Sequence, residues 1–271
     1  MLGWREAGDP SGRVLLWFHG GLSSAGEVEF LDTAARAHGV RLLAPDRPGV
    51  GETSPWDLAN VAEWPDAVDE WCRELGLGRC SVAGWSAGGP YALACAWRLA
   101  DRMDAVTLVA SMYPVTDPAR LRELGLRTDR LLLPMARRHP ARARLVLEPY
   151  RCLPPAALWR LSRASAGAAE RAALTPEVRP AFTAMLRRAV RHGVRGVVAD
   201  YRCVGAAWGF ALGDVTTRVT LLQGSADRMV PPAHAELLRA QLGAGSLRVL
   251  PGAGHFLPLT HAEDIVASLG A

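Results

Sequence analysis

The sequence contains no lysine, so all 31 of its basic residues are arginine. This absence excludes two kinds of chemistry, because a Schiff-base enzyme and a Walker-type phosphate-binding loop both need a lysine amine. Cysteine is also scarce, with five widely spaced residues, three of them in apolar segments. An odd number of scattered cysteines favours buried free thiols over a disulfide framework or a metal cluster.

Long apolar runs are missing as well. No stretch reaches the roughly 18 apolar residues of a membrane-spanning helix, and the opening MLGWREAGDPSG has no basic region followed by an apolar stretch. We therefore expect a cytoplasmic protein with no membrane partner. The net charge of +4 is modest and no nucleic-acid-binding module is present, so nucleic acid is not an expected partner either.

What is present is an ordinary globular composition, with 49% hydrophobic and 21% charged residues among 271. Short apolar runs alternate with helical patterns in the first and last parts of the chain, which predicts a mostly parallel sheet with helices on both faces. The predicted strands are Leu2–Ala7, Val14–Phe18, Val40–Ala44, Cys80–Ala83, Ala105–Ala110, Val219–Gln223 and Leu247–Leu250. The main predicted helices are Glu27–His38, Val61–Leu75 after an Asn60 cap, Gly89–Leu99, a helix ending at Leu242, and Ala262–Leu269.

A serine lies between glycines in the sequence GWSAG, residues 84–88. The G-x-S-x-G pattern places a serine on a sharp turn from a strand into a helix, where the glycines let neighbouring backbone approach closely. The pattern alone is weak, because a chain with 27 glycines produces such clusters by chance. The predicted strand before it and helix after it supply the required context, so Ser86 is the candidate nucleophile.

Two glycine-rich loops follow other predicted strands. Residues 19–24, HGGLSS, could direct backbone N–H groups into a cavity as half of an oxyanion hole, and a simple glycine turn is the alternative. Residues 46–54, DRPGVGETS, contain two glycines but lack the third glycine and the following helix of a nucleotide-binding loop, so we reject that interpretation. Asp46 is interpreted as a turn residue and His19 as a structural residue that holds its loop by a hydrogen bond.

Residues 113–208 differ from the rest of the sequence in amino-acid composition and in predicted secondary structure. Prolines recur there, strand-like runs disappear, and arginine-rich helical patterns replace them. We therefore expect an inserted helical region, which divides the core of the molecule into residues 1–112 and 209–271.

Five motifs in this order resemble the α/β-hydrolase superfamily: HGG, DRPGVGETS, GWSAGG, GSADRMVPP and GAGHF. The resemblance covers nearly the whole chain outside the insertion and implies a catalytic triad of Ser86, Asp227 and His255. It also implies that residues 113–208 form a helical cap between the sixth and seventh family strands. The family usually begins with a hairpin whose first strand this sequence does not supply, so seven strands are expected; a misassigned start codon would give the same sequence.

The triad also follows from chemistry. A serine hydroxyl is a poor nucleophile, so it needs a neutral imidazole to accept its proton and a carboxylate to orient that imidazole. Asp227 and His255 each come just after a predicted strand, which places them at the same sheet edge as Ser86.

An acyl-transfer enzyme also needs donors for the negative oxygen that develops on the substrate. We predict an oxyanion hole made of the N–H groups of Ala87 and Gly21, with Leu22 as the alternative to Gly21.

These residues predict a serine hydrolase that cleaves a carboxylic ester, lactone or related acyl substrate through an acyl-serine intermediate. The same triad could serve C–C bond hydrolysis, acyl transfer or perhydrolysis, and a ligand-binding receptor is the alternative from another class. A serine nucleophile disfavours epoxide opening and dehalogenation, since relatives with those activities use aspartate. We expect a monomer or homodimer with neither metal nor cofactor.

Charge is unevenly distributed. Residues 120–202 carry 18 arginines against six acids, a net charge of +12, whereas the rest carries 13 arginines against 21 acids, a net charge of −8. Two interpretations stay open. The arginines could form solvated outer faces of the helices, or some could line the entrance and select an anionic acyl substrate.

Overall fold

The computed structural model describes residues 2–268, in which a seven-stranded sheet is flanked by helices. Strands and helices alternate as expected, and both predicted features of the fold class, the mostly parallel sheet and the seven strands, are confirmed. The strands are β1 (Trp4–Gly8), β2 (Arg13–Phe18), β3 (Val40–Pro45), β4 (Cys80–Trp85), β5 (Met103–Val109), β6 (Val219–Gly224) and β7 (Gly245–Leu250).

Thirteen α-helices are present in the described part of the chain. Those of the core are α1 (Asp32–Ala37), α2 (Trp64–Glu74), α3 (Gly89–Arg98), α11 (Pro232–Gln241), α12 (Leu257–Thr260) and α13 (Ala262–Ala267). Seven more lie between β5 and β6: α4 (Pro118–Glu123), α5 (Arg127–Arg138), α6 (Pro140–Leu147), α7 (Pro155–Ser165), α8 (Ala168–Ala173), α9 (Arg179–Ala189) and α10 (Arg195–Val204). We call residues 118–204 the helical insertion.

The strand order is β1-β3-β2-β4-β5-β6-β7, with only β1 antiparallel to its neighbour. Parallel strands in such a sheet are covered on both faces and are therefore apolar throughout. In β2 the side chains alternate between two cores, since Leu16 and Phe18 pack with α2 and α3 while Leu15 and Trp17 pack with α1 and α13. Because β2, β4, β5, β6 and β7 run parallel, the carboxyl ends of β2, β4, β6 and β7 lie at one edge of the sheet.

The helical insertion has a small apolar core of its own, formed mainly by α5, α6 and α10. Its helices begin at Pro118 and end at Val204, and the domain boundaries 113 and 208 stay a prediction.

One predicted helix is wrong at its start. The pattern over Glu27–His38 predicts one helix, but residues 25–30 form a 3₁₀ turn and α1 begins only at Asp32. The Ser24 hydroxyl accepts the N–H of Gly26 at 3.4 Å, which caps the short turn, and the Glu27 side chain points into the protein rather than along a helix face. The buried carboxylate of Glu27 thus overrides the helical periodicity.

Other differences are small. Most strand and helix ends shift by one or two residues, and the helix predicted from Val61 begins with a 3₁₀ turn over Val61–Glu63, so that α2 starts at Trp64. The last predicted helix ends at Ala267 within the described residues, and Leu269 lies outside them. All five cysteines are free, with only Cys152 exposed. Within residues 2–268, no helix combines the length and the apolar character needed to cross a membrane.

Candidate active site

Ser86 lies in a strained turn at the end of β4. Its backbone has φ 53°, in the left-handed region, and residues 86–88 form a single 3₁₀ turn that leads into α3. A Cβ on Gly84 would lie 2.4 Å from the carbonyl oxygen of Gly88, and one on Gly88 would lie 2.1 Å from that of Phe18. Both glycines are therefore required by close backbone approach, and the turn stores about 1–3 kcal/mol of strain.

His255 and Asp227 form a buried hydrogen-bonded pair. The Nδ1 atom of His255 lies 2.8 Å from Oδ2 of Asp227, and the two residues are 2% and 3% exposed. The other carboxylate oxygen, Oδ1, accepts the N–H groups of Met229 at 2.8 Å and Val230 at 2.9 Å. An ionised carboxylate only accepts, so Nδ1 carries the proton and Nε2 is left as a proton acceptor.

The charges around His255 favour its protonated form. Burial lowers the pKa of the imidazole, but the charge of and hydrogen bond to Asp227 raise it, and the charges of Glu170 and Asp129 add to that effect. The net result is a pKa above the ordinary value of 6.5. A base of this kind has increased affinity for the proton that a serine hydroxyl would release.

Ser86 and His255 line the same pocket. The hydrogen bonds among the described residues include none between Ser86 Oγ and the imidazole, as is common where no substrate aligns the two groups. The structure thus joins Asp227 directly to His255, and His255 and Ser86 line the same cavity.

The loop after β2 supplies backbone donors beside Ser86. Gly21 and Leu22 line the pocket with Ala87, and the N–H groups of Gly21 and Leu22 have no hydrogen-bond acceptor among the described residues. The Gly20 N–H is already used, since it donates to Oε1 of Glu27 at 2.8 Å. Leu22 has φ 48°, so the loop is held in an unusual conformation. Gly21 and Leu22 both remain candidates for the second donor.

Glu27 is a functional neighbour that the sequence analysis missed. Its fully buried carboxylate accepts hydrogen bonds from Trp17 Nε1 at 2.8 Å, from the Gly20 N–H and from the Ser23 hydroxyl. Burial raises the pKa of Glu27 to about 7, although these hydrogen bonds lower it. The residue therefore supports the loop that carries Gly21 and Leu22.

Arg47 connects the same loop to the helical insertion. Its guanidinium group makes two bonds to Asp200 of α10, at 2.8 and 2.7 Å, and donates to the carbonyl oxygens of His19 at 2.5 Å and Gly20 at 2.8 Å. Tyr91 also donates to Asp200, at 2.7 Å. Arg47 and Asp200 are only 2% and 4% exposed in their side chains, so this is a buried ion pair whose hydrogen bonds are satisfied.

His19 has the structural role expected of it. The imidazole lies 2.9 Å from the carbonyl oxygen of Gly20 through Nδ1 and accepts the N–H of Arg47 at 3.3 Å through Nε2. Asp46 is more than a turn residue, because its buried carboxylate accepts the Ala25 N–H at 2.7 Å and pairs with Arg188 of α9 at 2.7 Å.

The pocket has a volume of about 1170 Å³, counting the part open to solvent at its mouth. Most of its wall is apolar and comes from the helical insertion, with contributions from Leu126, Leu133, Leu161, Phe182, Met185 and Leu186. No arginine is found among the described residues that line it.

A polar pair from the helical insertion also faces the pocket. Tyr201 of α10 donates its hydroxyl hydrogen to Asp129 of α5 at 3.1 Å, and both line the cavity. Burial raises the pKa of Asp129 to about 6, an effect that the hydrogen bond from Tyr201 partly offsets.

Arginines of α9, of α10 and of the segment between them contact acidic residues of the core. Arg188 binds Asp46 and Glu52, Arg191 binds Glu52, and Arg195 lies 3.4 Å from Asp57. These pairs join the basic insertion to the acidic loop after β3. Charge complementarity between the two regions therefore accounts for part of the uneven charge distribution.

The residues of the pocket include no candidate metal site. Within residues 2–268, no group of three or more histidine, cysteine or acidic side chains is arranged to hold a metal ion.

Comparison with known proteins identifies the family to which the chain belongs. A model described as "Alpha/beta hydrolase family" matches residues 14–269. A search of curated proteins finds no match.

Solved structures share the fold at low sequence identity. A bromoperoxidase from Bacillus anthracis is 17% identical with a TM-score of 0.76 over 99% of this chain and 93% of its own. An enol-lactonase from Burkholderia xenovorans LB400 is 18% identical, with a TM-score of 0.72 over 99% and 95%. A thermophilic esterase from Thermogutta terrifontis is 21% identical, with a TM-score of 0.69 over 99% and 91%. At these identities the likeness concerns the fold.

Proposed function

The chain belongs to the α/β-hydrolase family, and from this premise we propose that it is a serine hydrolase cleaving a carboxylic ester, lactone or related acyl substrate. The observation that carries the proposal is the buried His255–Asp227 pair, whose His255 lines the same pocket as Ser86 on its strained turn. This arrangement combines a base, its orienting carboxylate and an accessible hydroxyl.

In the proposed reaction the Ser86 Oγ attacks the substrate carbonyl carbon while His255 Nε2 accepts the hydroxyl proton. Asp227 holds the imidazole through Nδ1 and stabilises the resulting imidazolium. The protonated His255 then gives its proton to the departing alcohol oxygen, which leaves an acyl-serine ester. A water molecule, deprotonated by His255, hydrolyses that ester and restores Ser86.

Backbone N–H groups stabilise the negative oxygen formed during attack. Ala87 is one donor, and Gly21 is the second, with Leu22 as its alternative. The N–H groups of Gly21 and Leu22 have no acceptor among the described residues and so are available to the substrate. Donors of this kind each stabilise the transition state by about 3 kcal/mol in related chemistry.

The pocket wall favours an uncharged acyl group. Apolar side chains dominate it, and the described lining residues include no arginine to bind a carboxylate or phosphate. The insertion arginines that pair with the core are bound to Asp46, Glu52 and Asp57 outside the pocket. We therefore place the helical insertion as a cap that selects substrates by shape and apolar contact, and the anionic substrate becomes the second choice.

The same residues could direct other acyl chemistry. Acyl transfer, perhydrolysis and C–C bond hydrolysis need only a different acceptor or substrate at the same serine. Within the described site every residue expected of a triad is present, which argues against a receptor without turnover.

The test is a panel of p-nitrophenyl esters of increasing acyl length, measured with and without a serine-directed phosphonate. We expect hydrolysis of uncharged chains, complete inhibition by the phosphonate and one phosphonate bound at Ser86 by mass spectrometry. The rate should fall on acidification through the raised pKa of His255, because the imidazole must be neutral to accept a proton. Hydrolysis that persists after full labelling, or a label on another residue, would contradict the proposal.

A further inference from the structure

Glu170 of α8 reaches from the helical insertion into the loops that carry Asp227 and His255. It is completely buried. Its Oε1 atom accepts two backbone N–H groups at 3.2 Å, one from Arg228, directly after Asp227, and one from His255 itself. One carboxylate oxygen therefore connects the loop after β6 with the loop after β7.

The surrounding backbone is shaped to admit this carboxylate. A Cβ on Gly254 would lie only 2.9 Å from Glu170 Oε1, and a Cβ on Gly167 would lie 2.4 Å from Oε2. The glycine before His255 in the GAGHF motif thus leaves the space that the carboxylate occupies. Larger side chains at either position would push the carboxylate away from the His255 N–H.

The second oxygen of Glu170 makes this arrangement unusual. Oε2 is buried and has no hydrogen-bond partner among the described residues. Burying a carboxylate without full hydrogen bonding is costly, so stability alone does not explain an acid at this position. All the hydrogen bonds that Glu170's side chain makes in the described structure go to the two loops of the acid and base.

Electrostatics gives the position a second effect. The charges of three acidic residues, Asp227, Glu170 and Asp129, raise the pKa of His255. A negative charge near the imidazole stabilises its protonated form, which is the form that exists during attack by Ser86.

We propose that Glu170 is a positioning residue for the serine hydrolysis proposed above, on which this inference rests. Its carboxylate fixes the His255 backbone relative to Asp227 and stabilises the imidazolium that forms when Ser86 loses its proton. The helical insertion then contributes to catalysis as well as to the pocket wall, because its docking completes the alignment of acid and base.

The test compares Glu170→Gln and Glu170→Ala with Glu177→Gln, a matched control at an exposed acid of the same insertion. Glu170→Gln keeps a carbonyl acceptor but removes the charge, and Glu170→Ala removes both. We expect kcat for an uncharged p-nitrophenyl ester to fall in the order wild type, Gln, Ala, with the alanine variant about 10- to 100-fold slower and KM within about twofold. Glu177→Gln should match the wild type.

The pH profile separates this role from a purely structural one. Loss of a negative charge lowers the proton affinity of His255, so the acid limb of kcat/KM should move to lower pH in both Glu170 variants and stay in place for Glu177→Gln. The ratio of variant to wild-type kcat/KM therefore rises as the pH falls. Circular dichroism and thermal melting establish that each variant is folded, and if the alanine variant is not, the glutamine variant alone decides.

A measurement without substrate keeps this proposal distinct from the hydrolase assignment. NMR titration of the His255 ring in unliganded wild type and Glu170→Gln should show protonation at lower pH in the variant. A protein that cleaves no ester but shows this shift would refute the hydrolase assignment and support the electrostatic role of Glu170. An unchanged His255 titration together with unchanged kcat in folded Glu170 variants would overturn the proposal.

Discussion

The sheet core and the helical insertion contribute to the pocket in different ways. The core places Ser86, Asp227 and His255 at strand ends, where the backbone is held by the sheet. The insertion provides most of the apolar wall, together with two buried carboxylates, Glu170 and Asp200, that bind the core. The comparison teaches that the candidate reacting groups come from one region, and that the other adds buried carboxylates bonded to the loops around them.

The largest expected effect is the loss of ester hydrolysis when the candidate nucleophile of the core is removed. Ser86→Ala should lower the hydrolysis rate of an activated ester by about four orders of magnitude or more, because triad members act as a unit. The exposed Ser246 of β7 gives a matched control, and Ser246→Ala should retain full activity. The hydrolysis rate of each variant is measured in assays long enough to detect the slow reaction, and circular dichroism establishes that each variant is folded. Substantial turnover by a folded Ser86→Ala variant would assign the reaction to another group.

The next effect breaks the connection between the two regions. Asp200→Asn leaves the Arg47 guanidinium buried without its counter-charge, and we expect it to lower the free energy of unfolding by about 3–5 kcal/mol. Asp57→Asn removes a partner of exposed arginines and should cost at most about 1 kcal/mol. Urea unfolding followed by tryptophan fluorescence measures both.

Equal losses in these two variants would mean that the buried pair does not hold the insertion to the core. A double variant, Arg47→Met with Asp200→Leu, removes both charges and should recover part of the stability lost by Asp200→Asn.

The third prediction concerns Glu27, which supports the loop after β2 from the core side, and it is a pH dependence of the free energy of unfolding. The folded-state pKa of Glu27 is about 7, above its ordinary value of 4.5, so the folded protein binds the proton more tightly. The resulting stabilisation is fully present below pH 4.5 and is lost as the pH rises to about 7, a change of about 3 kcal/mol.

Unfolding measured from pH 4.5 to 8 in wild type and Glu27→Gln checks this expectation. The decline in unfolding free energy should be smaller in the variant. Asp129→Asn is the comparison variant from the insertion. The pKa of Asp129 is raised to about 6, so its effect on stability has the same sign over a narrower pH range, and this variant should remove a smaller part of the decline. Parallel curves for wild type and Glu27→Gln would show that Glu27 does not titrate in this range.

The smallest effect concerns the exposed arginines. Arg191→Gln and Arg195→Gln remove pairs whose arginine side chains are more than half exposed, so each should change the free energy of unfolding by less than about 1 kcal/mol. We also expect kcat/KM for an uncharged ester to be nearly constant from about 20 to 500 mM salt. A strong salt-dependent preference for carboxylate-bearing esters would instead support the hypothesis that arginines line the entrance and select an anionic acyl substrate.

The core was more predictable from the sequence than the insertion for a physical reason. Strand periodicity and the loop motifs around Ser86, Asp227 and His255 are short-range patterns, and the structure places Ser86 and His255 at one pocket with Asp227 bonded to His255. Glu170 and Asp200 gave no such signal, because their partners lie 85 and 153 residues away in the chain. Glu27 was misread for a related reason, since its burial depends on Trp17 and the loop at Gly20 rather than on helical spacing.

Arg47, which binds the carbonyl oxygens of His19 and Gly20 as well as Asp200, has a consequence for cooperativity. Since α8 and α10 are bonded to the core through Glu170 and Asp200, their amides should exchange with deuterium together with those of the sheet. Helix α7 has one buried residue, Leu158, and its Leu161 lines the pocket although it is 42% exposed. Opening of α7 would then admit a substrate while Asp227, His255 and the loop after β2 stay in place.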